Sequence, residues 1–213
     1  MKVAICTPHH ADVKAHYAYS LAHLIEHVVR SKPGIELKLI MRSSSLLPKV
    51  RAELVEQALR WEADWILWAD SDHLFPPDTL LRLLAHDVDV VGCNYPRREP
   101  PFGPTASKFC SDGTPVSVDT TPEKVALAAL EEVDFLGLGL CLVRARPLAA
   151  MELPLFNIGY SASTGGYSSE DSFFFARLRK EGLKIYLDHV LSWEVGHVAQ
   201  RVLTSQDPQD RNC

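Results

Sequence analysis

The sequence holds no block of lysine and arginine: 22 basic against 27 acidic side chains leave a formal net charge of −5 over 213 residues. The electrostatic footprint of a nucleic-acid binder is therefore missing. No apolar run approaches a membrane span, and Met1 is followed at once by Lys-Val-Ala-Ile-Cys, without a charged leader, a long apolar stretch and a cleavage site. The expectation is a cytoplasmic protein with no integral membrane segment. Cysteine is scarce, with five residues, an odd count, and no Cys-x-x-Cys spacing. Cys6, Cys93 and Cys141 lie in apolar stretches, which reads as reduced core thiols and argues against a thiolate metal site. A dinucleotide-binding fingerprint is also lacking, because Gly137-Leu-Gly139 has neither the third glycine nor a following helix.

What is present is a chain with 46% hydrophobic residues, enough to bury a full core. One domain is expected over residues 1–203, with a polar tail at 204–213. Apolar alternation predicts strands at 2–6, 36–41, 65–69, 88–93, 134–143, 184–188 and 191–195. Helical spacing and stop signals predict helices at 13–28, 48–63, 78–85, 121–130 and 170–181. Strands alternating with helices imply a Rossmann-like α/β fold whose mostly parallel central sheet carries helices on both faces. Residues 99–121 and 157–169 are rich in Pro, Gly, Ser and Thr and read as long loops of a binding face. His9, His10, His16, His23 and His27 read as solvated or half-buried side chains, since nothing near them offers metal-ligand chemistry.

The stretch around which the rest is organised runs from Trp65 to His73. An apolar strand stops abruptly at Asp70-Ser71-Asp72, and Pro76-Pro77-Asp78 opens a new helix. The two aspartates thus fall at the carboxyl end of a strand, where open α/β sheets bind their ligands. In an extended loop, side chains two residues apart point to the same side and can approach one hard cation. Turn formation and helix capping would also account for the pair taken alone. Glu170 and Asp171 open another helix, where the helix dipole by itself favours acidic groups, but a Gly/Ser loop beside them suggests a site. Arg51, near a helix start, opposes the dipole and reads as solvated unless a ligand holds it.

Thr7-Pro8 at the first strand's end, Arg51 to Val55, Trp68-Ala-Asp-Ser-Asp72, Asp134 to Arg144, Ser169-Glu-Asp171 and Trp193 to His197 occur in an order that resembles glycosyltransferases of the GT-A fold, in particular family 2-like enzymes. The resemblance implies that Thr7, Pro8 and the Asp70-Ser71-Asp72 loop hold a nucleotide-diphosphate sugar, with Asp70 on the ribose or the metal. Asp72 and the late His197 would bind Mn²⁺ or Mg²⁺. It further implies an inverting reaction in which Asp171 is the general base, Glu170 supports it, and Arg51 contacts nucleotide or phosphate. Asn94, Tyr95, Gly137 and Trp193 would lie toward an unidentified acceptor. Ala52 departs from the Arg-Asn often found in relatives, which leaves the role of Arg51 open. Two alternatives stand beside this: a non-catalytic nucleotide- or sugar-binding module of the same fold, and a sugar nucleotidyltransferase. The latter calls for a glycine-rich basic loop that Thr7-Pro8-His9-His10 does not supply. Oligomeric state is not legible.

Overall fold

The structure, a computed structural model, describes residues 1–98, 102–161 and 165–199. The chain begins with β1 (Lys2–His9), α1 (Ala15–Ser31), β2 (Glu36–Ser43), α2 (Leu47–Arg60), β3 (Trp65–Ala69), β4 (His73–Leu74), α3 (Thr79–Ala85) and β5 (Val90–Gly92). A small hairpin of β6 (Ser107–Phe109) and β7 (Pro115–Ser117) follows, then α4 (Pro122–Ala126), β8 (Leu130–Val133), β9 (Leu140–Arg144) and α5 (Ala145–Ala150). The last elements are the hairpin β10 (Gly159–Ser161) and β11 (Gly166–Ser168), α6 (Glu170–Lys180), β12 (Ile185–Asp188), α7 (His189–Ser192) and β13 (Gly196–His197).

Seven strands form one sheet in the order β2-β1-β3-β9-β5-β12-β8. β1, β2 and β3 pair in parallel, as do β5 and β12, while β9 is antiparallel to both β3 and β5 and β8 is antiparallel to β12. Five strands therefore share one direction, as the βα alternation predicts. Side chains alternate between two faces. Ala4, Cys6, Ile66, Trp68, Cys141 and Val143 pack with residues of α2, α5 and α6, and Val3, Ile5, Trp65, Leu67, Leu140 and Leu142 pack with residues of α1 and α3. Helices thus cover both faces. β3 is buried at all five positions, as expected of a central strand with neighbours on each side.

Several local expectations are corrected. Residues 191–195 are not a strand: Asp188 Oδ1 accepts from Leu191 N at 2.8 Å, an aspartate cap that turns the chain into α7. The run 134–143 is strand only from Leu140, because Gly137 and Gly139 sit in a loop crossing the sheet rim. The helix begun at Pro122 ends at Ala126, and after Ala128 (φ 47°) the chain enters β8. The segment 157–169 contains the β10–β11 hairpin, whose 162–164 lie outside the described residues. So do the expected polar tail at 204–213 and Cys213. Cys6, Cys93 and Cys141 are buried free thiols, as expected, and burial pushes each thiol well above its ordinary range. Among the described residues, no helix is long and apolar enough to cross a membrane.

Candidate active site at the sheet rim

β1, β3 and β5 end on one rim, and the loops leaving them supply the polar groups. The turn after β3 is held by its backbone: Asp70 N donates to Gly139 O at 2.8 Å, His73 N to Asp70 O at 3.1 Å, and Val198 N to Asp72 O at 2.8 Å. These bonds aim Asp70 and Asp72 into different surroundings, so the two carboxylates do not converge on one point.

Asp70 meets Arg51. The guanidinium, on the buried side of α2, is 1% exposed, lies 5.3 Å over the Trp68 ring, and donates to both Asp70 oxygens at 3.2 Å. Its Nε donates to Glu170 Oε1 at 3.4 Å and stands 3.6 Å from Asp171 Oδ1. The expectation of a solvated Arg51 is thereby corrected. Its cation is buried because three carboxylates face it. Burial by itself would lower the Arg51 pKa, but Asp70, Asp171 and Glu170 raise it instead. One cation cannot neutralise three anions. Burial, with Glu170 and Asp70 nearby and against the pull of Arg51, pushes the Asp171 carboxyl up to about 7. Asp171 Oδ2 accepts from Leu138 N at 3.1 Å, and its buried Oδ1 has no hydrogen bond.

Asp72 instead meets imidazoles. His73 Nδ1 lies 3.2 Å from Asp72 Oδ1, and His197 Nε2 lies 3.5 Å from Asp72 Oδ2. Pro96 O, 2.9 Å from His197 Nδ1, can only accept, so Nδ1 carries a proton and Nε2 is the nitrogen turned to Asp72. Burial would raise Asp72, but hydrogen bonds from His197 and His73 hold it well below the carboxylate range. The two imidazoles stack with centroids 4.5 Å apart, and Tyr95 packs edge-on to both. Arg98 Nη1 donates to Asp72 Oδ2 at 2.9 Å.

Asp72, His73 and His197 offer ligand atoms within 4.8 Å of one another. Neighbouring ligands of a cation coordinated at about 2.1 Å lie about 3 Å apart, close to the two Asp72–imidazole separations of 3.2 and 3.5 Å, so these residues could hold a divalent ion after a small adjustment of the imidazoles. The orientation of His197 by a backbone carbonyl is a common way of fixing a metal-ligating ring. Two imidazoles with one carboxylate suit a first-row transition ion better than Mg²⁺.

A cavity of about 400 Å³ lies against this cluster, lined by Pro8, His9, His10, Ser44, Ser45, Leu47, Asp70, Ser71, Asp72 and Arg98. Of the expected nucleotide contacts, Pro8, Asp70, Ser71 and Asp72 line it. Thr7 does not: it is fully buried, hydrogen-bonded to Tyr17 Oη. Arg51 reaches the cavity only through Asp70. Asn94, expected toward the acceptor, lines a second cavity and also clamps the following loop: its amide oxygen accepts from Thr105 N at 2.9 Å and Ala106 N at 3.1 Å, and its Nδ2 donates to Val118 O at 2.7 Å. Sequence reasoning missed His73 and Arg98. The signal for His73 was its place directly after Asp72; for Arg98 there was none, because its partner is 26 residues away.

This α/β sheet, helix-covered on both faces, is a fold shared with solved structures that include a glycosyltransferase. Over 97% of this chain and 100% of the other it is similar to the solved structure of A197 from STIV (TM-score 0.55, 14% identity). Over 99% of this chain and 77% of the other it is similar to a mutant Drosophila β-1,4-galactosyltransferase 7 solved in complex with manganese, UDP-Gal and xylobiose (TM-score 0.50, 16% identity). No protein-family model matches the sequence. No curated protein matches it either.

Proposed function

We propose that this chain is a divalent-cation-dependent glycosyltransferase, moving a sugar from a nucleotide-diphosphate sugar to an acceptor hydroxyl with inversion. The observation carrying the reading is the meeting, beside one cavity, of Asp72 with His197 from 125 positions further along the chain. The order of motifs supports a family 2-like enzyme.

In this reading the cavity takes the nucleoside diphosphate. Pro8, His9 and Ser71 line the nucleoside side, and Asp70, held by Arg51, accepts from ribose hydroxyls. The start of α2 borders the cavity at Ser44, Ser45 and Leu47, and the positive end of a helix favours phosphate there. Arg98, now on Asp72, is the side chain free to follow the diphosphate. Asp72, His73 and His197 would hold Mn²⁺, or less suitably Mg²⁺; Asp70 is directed to the ribose, because Arg51 already occupies both of its oxygens. The bound ion supplies charge stabilisation for the leaving diphosphate. Asp171 takes the proton of the acceptor hydroxyl as that oxygen bonds to the sugar carbon. The bond from that carbon to the phosphate oxygen breaks, and its electron pair leaves with the diphosphate. Arg51 and Glu170 position Asp171.

The test is thermal denaturation with the common nucleoside diphosphates, with and without Mn²⁺. A saturating nucleotide at one hundred times its Kd adds about 2.7 kcal/mol of apparent stability. The expected outcome is a rise in Tm that needs nucleotide and metal together and vanishes in Asp72→Ala. Absence of any rise in the wild type across the panel would overturn the reading.

A further inference from the structure

The wall made by Tyr95 and Pro96 has a second use. On one side it touches the metal-ligating candidates: the Tyr95 ring lies 4.3 Å from His73 and 5.4 Å from His197, and Pro96 O receives His197 Nδ1. The same two residues also line a separate cavity of about 370 Å³, together with Phe102, Asp119, Thr120 and Trp193. That volume falls within the range of about 300–1,000 Å³ usual for small-ligand sites.

Its chemistry is unlike that of the nucleotide cavity. Among the described residues no lysine, arginine or histidine lines it, whereas the other carries His9, His10 and Arg98. An anionic ligand would find a carboxylate in the lining and no lining countercharge among the described residues, since the nearby Lys124 Nζ is held on Asp119 O at 3.0 Å and on Glu131 Oε2 at 2.8 Å. Two large aromatic rings are left open beside it, Phe102 at 64% and Trp193 at 56% exposed. Apolar rings are favoured when covered, so two open rings around one concavity suit a ligand that packs on them. Neither is loose. Trp193 follows α7, which His189 anchors through Thr120 Oγ1 and Glu131 Oε2, each at 3.0 Å, and Asn94 N donates to Ser192 Oγ at 2.8 Å. Asp119, exposed at the same cavity, has no ion pair from its carboxylate among the described residues.

A fixed Trp193 ring, a carboxylate outside any ion pair and the Thr120 hydroxyl, with no cationic side chain lining the cavity among the described residues, match one ligand class. Sugars present C–H groups that pack on an aromatic ring and hydroxyls that donate to a carboxylate in strong, charge-assisted hydrogen bonds. We propose that this cavity binds a neutral saccharide, stacked on Trp193 with its hydroxyls donating to Asp119. That this saccharide is the acceptor rests on the glycosyltransferase reading above, in which the reacting hydroxyl extends beyond this cavity's lining toward Asp171; that the cavity binds sugar does not. The rim is thereby divided, with a cationic cavity for the nucleotide diphosphate and an acidic aromatic one for the neutral sugar on either side of the Tyr95–Pro96 wall.

Saturation-transfer NMR on the full chain with neutral mono- and disaccharide methyl glycosides tests this, alongside glucuronide counterparts. At least one neutral glycoside is expected to bind through its C–H face. Trp193→Ala should abolish the signal, Trp193→Phe should keep most of it, and Asp119→Asn should weaken binding tenfold or more, with the Mn²⁺- and nucleotide-dependent rise in Tm unchanged in all three. No binding by any neutral glycoside, binding indifferent to Trp193→Ala, or stronger binding of the glucuronides would each overturn the proposal. Trp193-dependent sugar binding without any nucleotide-dependent rise in Tm would leave the cavity standing and remove the transferase reading.

Discussion

At the scale of single residues, the proposed reaction turns on Asp171 as its base. As a base it must be ionised, and with its pKa pushed up to about 7 the ionised fraction falls about tenfold per pH unit below that value. The pH profile of kcat/KM for sugar transfer is therefore expected to have an acidic limb near 7. Asp171→Asn should lower kcat by about a hundred- to ten-thousand-fold with donor affinity nearly unchanged. The sign for stability runs the other way. A carboxyl whose pKa is raised on folding binds its proton more tightly in the native state, so its contribution declines as pH rises from the ordinary carboxylate range through about 7. Asp171→Asn is accordingly expected to melt no lower than wild type at pH 8. Arg51 is the opposite case. Removing its charge leaves Asp70, Glu170 and Asp171 facing one another with no cation, and breaking such a buried pair costs about 3–5 kcal/mol. Arg51→Met should lose that stability in denaturant titrations, together with nucleotide binding and turnover.

Between residue and fold, the excursion from Tyr95 to Val118 depends on one amide. Asn94 bonds Thr105, Ala106 and Val118, all from its place just past β5, and these bonds hold the walls of the cavity beside Trp193. Leaving buried backbone groups without partners costs about 1–3 kcal/mol each. Asn94→Ala is expected to lower Tm and to open residues 97–118 to limited proteolysis ahead of the sheet. The elements misread in the sequence are short ones. α7 and β13 are too brief for periodicity to show, and β8 exists as a strand because β12 is there to pair with it antiparallel. β3, α1 and α2 were plain in the sequence because a buried strand and helices of 17 and 14 residues repeat their pattern long enough to be read.

For the molecule as a whole, the site sits at the rim of the core: Asp72 and His197 are partly exposed, while His73 is buried against Tyr95 of the apolar cluster beneath. A chelator is expected to abolish nucleotide-dependent stabilisation and leave the Tm of the ligand-free protein unchanged, measured by thermal denaturation with EDTA. A fall in the ligand-free Tm would mean that the metal belongs to the fold as well.

The sequence by itself determined the α/β alternation, the buried central strand and the break at Asp70-Ser71-Asp72, because hydrophobic period and turn chemistry are local properties. It could not divide the aspartates. Only the tertiary structure sends Asp70 to Arg51 and Asp72 to His73 and His197, since those pairings depend on β9 crossing between β3 and β5 and on β13 returning beside β4. The raised pKa of Asp171 likewise comes from three carboxylates sharing one buried cation, a balance of charges that no stretch of the chain contains on its own.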